Sequence, residues 1–430
     1  MSSILTNTGA MVALQTLKGI NTNLAKTQDQ ISTGKSVNAA KDNAAVWAIS
    51  KVMESDVTGF KAISDSLALG KSTVSLSSKA AESVASLLTE MKGKIVAAQE
   101  ASADKTKIQT DIAALTKQID SVVSAAQFNG LSLLSNRDSA TTYALIKTTV
   151  TGTGSVNVLS SLDRSATGVA SASIAVAKQD LGTQAAAAGG LTLAAAAFTA
   201  AGTATANGAA LATYTVAGET ATAGRNAAVM AGDGYSFDLT KFVGTNATAT
   251  GTALYVARDG DTTTDIAKNL ADTINFELKK QGLSTDFTIT ASGATFTVQN
   301  NTATALAAAA AGDATLTAGG KAGGGLALVA KIDVSTTNGA KAALSAIEGL
   351  IQTSIKASSS FGSAEGRIMI QTKFVGDLMD SMKAGIGSMV DADMEEASAR
   401  LQALQVQQQL GIQALSIANQ APQNILSLFR

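Results

Sequence analysis

The chain contains no cysteine and no histidine in 430 residues. Those absences exclude disulfides, thiolate nucleophiles, Cys/His zinc sites and every triad built on imidazole. They also remove the usual general base near neutral pH. Composition therefore argues against an enzyme, and no catalytic, cofactor-binding or metal-ligating set is expected. Aromatics are 4% of residues and the single proline is Pro422. A conventional globular core leans on aromatics for burial. Scarce proline suits long helices, because proline removes a backbone donor and clashes with the preceding turn. Net charge is -1, so no global field favours nucleic acid or anionic lipid. The N-terminus, Met1-Ser2-Ser3-Ile4-Leu5-Thr6-Asn7-Thr8, has no basic patch followed by an unbroken apolar stretch, so no cleaved secretory signal is expected. Ala-rich runs near 185–201 and 303–311 are broken by Gly and Thr and hold little Leu, Ile or Phe, so no membrane span is expected.

What is present divides into two kinds of sequence. Residues 1–130 and 338–430 are apolar-periodic and helical in rhythm, whereas 139–337 is rich in Ala, Gly and Thr and reads largely as strands. The longest period runs from Val46 to Ala98: Val46, Ile49, Met53, Phe60, Ile63, Leu67, Val74, Ala81, Val84, Leu88, Met91, Ile95 and Ala98 keep 3-4 spacing, with Asp56, Gly70 and Ser77 as exceptions. A seam kept for about seven heptads predicts a coiled-coil rod of roughly 80 Å. A second helix carries Ile108, Ile112, Leu115, Ile119, Val122 and Ala126, with Ser102–Asp104 as its break and N-cap and Asn129-Gly130 as its end. A third seam holds Ile368, Thr372, Val375, Met379, Met382, Ile386 and Met389.

The extreme ends are apolar on more than one face. Ala10, Leu17, Leu24 and Ile31 recur every seven residues beside Leu14 and Ile20. At the other end Leu401, Leu404 and Leu415 form one stripe, Val406, Leu410 and Ile417 another, and Ile425 and Leu428 crowd the terminus. Burial on several faces needs mass that one copy lacks. Leu14, Leu17, Leu24, Ile31, Leu401, Leu404, Leu410, Leu415, Ile417, Ile425 and Leu428 are therefore the expected subunit interface. These ends should be poorly ordered alone and ordered by neighbours.

The expected fold is mainly α: a long antiparallel coiled-coil or helical-bundle rod built from both termini, with β-hairpins and an inserted α+β outer domain. Its parts are a terminal helix 1–42 paired with 391–430, a rod 43–182 paired with 338–390, and an outer domain 183–337. In the outer domain Tyr235, Phe237 and Leu239, Phe287 and Ile289, then Phe296 and Val298 alternate as strands, with Ser292-Gly293 as a turn. Ile266, Leu270, Ile274 and Leu278 fit one helix. Tyr143, Leu145, Val156 and Val158 mark hairpins beside the rod.

Motifs suggestive of chemistry fail on spacing. Gly34-Lys35-Ser36 and Gly70-Lys71-Ser72 resemble the end of a phosphate loop, but Asp29 and Asp65 stand where its first glycine is required. Asp259, Asp261 and Asp265 do not match a calcium loop and read as a turn and helix cap. Asp391, Asp393, Glu395 and Glu396 suit the start of a terminal helix, where the macrodipole favours anions. Asn246-Ala-Thr and Asn300-Asn-Thr match the glycosylation sequon, a short pattern that occurs by chance.

Three segments, in order, resemble the landmarks of one family. Ile31 to Ser50 reads Ile-Ser-Thr-Gly-Lys-Ser-Val-Asn-Ala-Ala-Lys-Asp-Asn-Ala-Ala-Val-Trp-Ala-Ile-Ser. Gln127-Phe128-Asn129-Gly130 is followed by Leu133-Leu134, and the C-terminal landmark runs from Val390-Asp391-Ala392-Asp393 through Ala418-Asn419-Gln420-Ala421-Pro422-Gln423-Asn424-Ile425-Leu426-Ser427-Leu428-Phe429-Arg430. These resemble bacterial flagellins, and Asn43–Trp47 is closer to alphaproteobacterial members. The resemblance implies a filament subunit exported unfolded through the flagellar type III pathway and polymerised beneath a cap. In that scheme the termini pair in an inner tube, the rods surround it and the insert projects outward. Implied partners are further copies, sister flagellins, cap and hook-associated proteins, the export apparatus and a flagellin chaperone, in an extracellular filament without nucleic acid or a membrane span. A hook–filament junction protein shares the terminal design but should match the ending less well. A secreted surface adhesin would need an anchor or secretion signal.

Overall fold

A computed structural model describes residues 7–135, 154–165, 168–192, 198–216, 229–258 and 261–428; for 163–165, 168–169, 191, 311 and 421–428 it describes the backbone alone. Three helices come first: α1 (Thr8–Thr33), α2 (Ala44–Ala97) and α3 (Lys105–Ala125). Two hairpins follow, β1 (Gln127–Phe128) with β2 (Leu131–Ser132), and β3 (Ser155–Ser165) with β4 (Gly168–Ala177). The insert holds β5 (Leu191–Thr192), β6 (Phe198–Ala201), β7 (Ala212–Val216), β8 (Gly234–Asp238), β9 (Thr252–Val256), α4 (Thr263–Lys280), β10 (Phe287–Ser292), β11 (Thr295–Asn300) and β12 (Ala314–Ala318). The chain returns through α5 (Thr337–Val390) and α6 (Met394–Leu428). Two compact units result: Met1–Asp65, Ser161–Ser171 and Thr372–Arg430 form one, and Ser66–Ser160 with Ala172–Gln371 the other. None of the helices, among the described residues, is long and apolar enough to cross a membrane.

In the larger unit α2 and α5 run antiparallel. Ile63 lies just outside this unit, at the edge of the smaller one, and from Ile63 to Ala98 the predicted α2 seam is buried at Ile63, Leu67, Val74, Ala81, Val84, Leu88, Met91, Ile95 and Ala98. Its partner on α5 is a 3-4 seam of Ala340, Ala343, Ile347, Leu350, Ser354, Ala357, Phe361, Ala364 and Ile368. The buried Ser354 hydroxyl donates to the Ala81 carbonyl at 2.8 Å, and Lys92 pairs with Glu348 at 2.6 Å. On α3 the buried positions are Ile112, Leu115, Ile119 and Val123. Val123 thus takes the place expected of Val122, because a four-residue step keeps the side chain over the same face. Asp104 caps α3, its carboxylate accepting from the Lys107 amide at 3.1 Å.

The structure departs from two expectations. Asn129-Gly130 does not end α3, which stops at Ala125. Both residues have positive φ, 50° and 78°, and form the two-residue turn between β1 and β2, the conformation that Asn-Gly favours in tight hairpins. The second correction concerns the first part of the α2 seam. Val46, Met53 and Phe60 are only half-buried and Ile49 is 52% exposed. The α5 residues expected opposite, Met379, Met382, Ile386 and Met389, are half-buried too. Two helices alone leave such a seam partly open.

Gly70 interrupts the α2 seam for a packing reason. A Cβ there would lie 2.5 Å from Val158 Cγ1 on β3, so glycine lets the hairpin seat on the helix. Tyr143 and Leu145 lie outside the described residues.

The insert is built differently. Its strands form two four-stranded sheets, ordered β10-β11-β7-β6 and β5-β12-β8-β9, with antiparallel pairing throughout. Both sheets and α4 share one core. Aromatic rings bridge the sheets: Tyr214 meets Phe237 edge-on at 5.0 Å and Phe198 meets Tyr235 at 6.1 Å. The helix read from Ile266, Leu270, Ile274 and Leu278 is α4, with all four buried. Thr262 and Asp265 form its capping box. Gly293 (φ 57°) turns β10 into β11.

In the smaller unit both chain breaks meet. α1 stops at Gly34, whose φ of 70° supplies the left-handed cap. The Ser36 amide donates to the Val390 carbonyl at 2.7 Å, and the Ala392 amide donates to the Gly34 carbonyl at 2.9 Å. Within the loop the Asp42 carboxylate accepts from the Asn38 and Ala39 amides at 3.2 and 3.0 Å. The hydrogen bond from Ala39 holds that carboxyl below its ordinary range. Asn43 then accepts from the Val46 amide at 3.2 Å as α2 begins. The diagnostic segment Ile31–Ser50 is thus a cap, a turn and a second cap, locked to the α5–α6 break.

Two outcomes are expected. Gly70→Ala should lower stability by roughly 1–3 kcal/mol through overpacking against Val158. Gly93→Ala, on the same helix with open space around the new methyl, should instead add about 0.5–1 kcal/mol. Denaturant melts of both variants check the contrast. The second concerns Asp42, whose folded pKa is depressed. Its contribution is present above the unfolded aspartate pKa and lost as pH falls through the folded one. The difference in Tm between wild type and Asp42→Ala should be constant near neutrality and shrink to nothing in acid; a difference that persists below that range would refute it.

Candidate assembly surface

α1 and α6 pair antiparallel. The Asn7 side-chain amide donates to the Ala418 carbonyl at 2.8 Å, and the Gln408 amide donates to Asn21 Oδ1 at 2.7 Å. Leu17 and Ile20 approach α6 at Gly411, where a Cβ would stand 3.2 and 3.8 Å from their Cδ1 atoms. The protected apolar positions on α1 are Ala10, Ala13, Leu17, Ile20, Leu24 and Ile31, with Thr27 and Gln30 beside them. On α6 they are Ala397, Leu401, Leu404, Gln408, Gly411, Leu415 and Ala418. Each set keeps 3-4 spacing, so each helix turns one stripe to the other. At the head of α6 the Asp393 carboxylate accepts from the Glu395 and Glu396 amides at 3.0 and 3.2 Å, so the acidic run is a helix cap.

This pairing sorts the residues expected at a subunit interface. Leu17, Leu24, Ile31, Leu401, Leu404 and Leu415 lie on the stripe that closes the pair within one chain, and Thr27, Ala397 and Leu404 are buried by it. Leu14, Leu410 and Ile417 face away, at 58%, 57% and 68% exposure. Ile425 and Leu428 belong to the last turns of α6, where the backbone alone is described. Sequence reasoning overlooked Met11, Val12 and Ile412, which are also exposed. Single exposed apolar side chains are ordinary on a protein surface. Here they accumulate on a two-helix element with almost no interior.

The motifs that resembled chemistry have structural roles. The Ser36 hydroxyl donates to the Val390 carbonyl at 3.0 Å and the Lys35 backbone pairs with that of Asp391 as an isolated antiparallel bridge, while Gly70-Lys71-Ser72 lies within α2. Lys35 also approaches Glu54 at 3.9 Å, and the Lys51 ammonium hydrogen-bonded to Glu54 holds that carboxyl below its usual range. Asp261 accepts from the Tyr255 hydroxyl and the Arg258 amide, and burial pushes its pKa up. Asp259 lies outside the described residues. Asn300 is fully buried and donates to Ala204 and Thr304 carbonyls, which leaves its sequon inaccessible in the folded chain. Among the described residues no group of three or more His, Cys, Asp or Glu side chains could hold a metal ion. Trp47 is half-buried in the smaller unit.

The chain is similar to known proteins along its whole length. Its residues 4–139 match the bacterial flagellin N-terminal helical region, and 344–429 match the bacterial flagellin C-terminal helical region. It is 34% identical to Flagellin D of Rhizobium meliloti (strain 1021), with all of both chains covered. It is 26% identical to Flagellin FljM of Caulobacter vibrioides over 100% of this chain and 99% of that one. A solved flagellar hook associated protein-3 from Legionella pneumophila aligns with 79% of this chain and 98% of its own at 10% identity and a TM-score of 0.36, too distant a likeness to weigh against the flagellins. Matched at both ends by the two helical regions and throughout by named flagellins, the chain belongs to the bacterial flagellin family and is a structural subunit that polymerises into the flagellar filament, not an enzyme.

Proposed function

We propose that the α1–α6 pair is the polymerising element of this subunit. The observation that carries this reading is the outward apolar set on a two-helix element, Leu14, Leu410 and Ile417 above all. Neighbouring copies would cover these side chains, and Ile425 and Leu428 with them. Leu17, Leu24, Ile31, Leu401, Leu404 and Leu415 serve the same contact indirectly, by holding the pair that presents it. In this reading 1–42 and 391–430 form the inner tube, 43–182 and 338–390 the rod, and 183–337 the outer domain. The subunit is secreted unfolded through the flagellar export apparatus with a flagellin chaperone, and assembles beneath a cap beyond the hook-associated proteins. Export in the unfolded state suits a chain with no Cys and one Pro, which carries no disulfide and few slow X–Pro bonds to re-form outside.

Ile417→Asp should leave the monomer melt within about 0.5 kcal/mol of wild type and abolish seeded polymerisation, since each lattice contact would bury an unpaired charge. Leu404→Asp should behave differently. Its charge falls inside the intrachain pair, so amide exchange in α1 and α6 should rise in the monomer itself. Ile417→Asp filaments of normal length and yield, seen by negative-stain microscopy, would sink the proposal. Replacing 183–337 by a short linker should leave a polymerising subunit; loss of assembly with the helices still folded would move essential contacts into the insert.

A further inference from the structure

The insert joins the rest of its unit through a two-strand neck. The Ala187 and Lys321 amides donate to each other's carbonyls at 3.0 and 2.8 Å, the Gly324 amide to Gln184 at 2.9 Å and the Leu326 amide to Gly182 at 2.9 Å. The strands run so close that a Cβ on Gly324 would overlap the Gly182 carbonyl. Below the neck, the Gln179 and Leu181 amides donate to the Leu133 and Leu134 carbonyls, and the Thr183 hydroxyl bonds Asp120 on α3. The Gln109 side chain on α3 holds the returning strand, donating to Ile332 and accepting from Val334. The neck is thereby part of the helical framework.

One side chain crosses from the body of the insert to this neck. Arg258 leaves the end of β9 and donates through Nε to the Gly323 carbonyl at 3.1 Å and through Nη2 to the Gly324 carbonyl at 2.7 Å. Its Nε also stands 3.7 Å from Asp180 on the opposite neck strand. Its own backbone is fixed, since Asp261 accepts from both the Arg258 amide and the Tyr255 hydroxyl, and the guanidinium carbon lies 5.7 Å from the Tyr255 ring centroid. A second strut stands nearby: Lys331 pairs with Glu277 on α4 at 2.9 Å, partly sheltered from solvent.

We propose that Arg258 is an orientation lock, which grips both neck strands and holds the insert at one fixed angle to the α2–α5 part of its unit. A planar guanidinium suits this task because it offers several donors in a rigid fork. A filament of such subunits carries an outer layer of uniformly oriented domains, and that layer is independent of where the subunits touch. Without the lock the insert is held by the two neck strands and the single Lys331–Glu277 pair, which has no rigid fork to fix an angle.

The absence of cysteine makes the test direct. Spin labels on Ser86→Cys in α2 and Ser292→Cys at the β10–β11 tip, both exposed, report the distance between insert and helix in the full-length monomer. The otherwise wild-type chain should give one narrow distance distribution. Arg258→Lys keeps the charge but loses the fork, and the distribution should widen at least twofold while near-UV circular dichroism of the insert stays unchanged. If that variant unfolds the insert, Asp180→Asn removes the hold on the opposite neck strand while leaving the bonds to Gly323 and Gly324, and the distribution should widen by a smaller but resolvable amount. A distribution as narrow as the wild type in a folded variant would overturn the proposal.

Discussion

Residues separated by 354 positions, Ser36 and Val390, are joined by a backbone and a side-chain hydrogen bond, and the rest of the smaller unit takes its register from there. A 3-4 seam made of Ala, Leu and Ile repeats itself, so a helix pair built on it could slide by a heptad with little loss of apolar contact. Bonds that fit one alignment only prevent the slide. The Gly34–Ala392 and Ser36–Val390 bonds are such pins. Asn7 on Ala418 and Gln408 on Asn21 repeat the device along α1 and α6. In the other unit, the buried Ser354 hydroxyl on Ala81 does the same for α2 and α5. Polar groups are sparse in these seams, and those present specify alignment more than they add stability.

The two kinds of core answer to different needs. The helical seams use Ala, Val, Leu and Ile, and Phe361 is their one large ring among the fully buried side chains. Small residues let helices approach closely and keep each turn equivalent to the next, which suits a rod. The insert must close a compact core in a short stretch, and it concentrates Phe198, Tyr214, Tyr235, Phe237, Phe242, Phe287 and Phe296 between its sheets. Each ring buries a large area, and the rings lock one another through edge-on contacts such as Tyr214 on Phe237 and the stacking of Tyr214 on Phe296. The low aromatic content of the whole chain is therefore an average over two unlike parts.

Much of this was legible in advance. The α2 seam from Ile63 onward, α4, the α3 cap at Asp104 and the alternation in β8, β10 and β11 follow from residue type and spacing, except that Leu239 falls in the 3-10 turn that ends β8. The α5 seam before Ile368 was missed because Ala340, Ala343, Ser354 and Ala357 carry little hydrophobic signal although they are buried. Asn129-Gly130 was misassigned because the same pair serves a helix end and a tight hairpin. At the candidate surface the sequence distinguished two stripes on α6 but not which one meets α1. That choice depends on contacts with Asn7, Leu17 and Asn21, hundreds of residues away, and no local rule encodes it. The Arg258 grip was invisible for the same reason: its acceptors are backbone carbonyls.

The neck also alters what the insert means to the chain as a polymer. Joining α2 and α5 across a flexible loop would carry a closure entropy that grows with loop length, by about 0.6 kcal/mol per doubling. Here the strands that enter and leave the insert are hydrogen-bonded side by side from Gly182 and Gln184 to Gly324 and Leu326. Once the insert has folded, its two ends meet, and the connection from the hairpins after α3 to α5 is no longer than the neck itself. The length of the insert then drops out of the free energy of rod formation. Any domain whose two ends meet at the same neck could replace this one with little thermodynamic consequence for the helices beneath it.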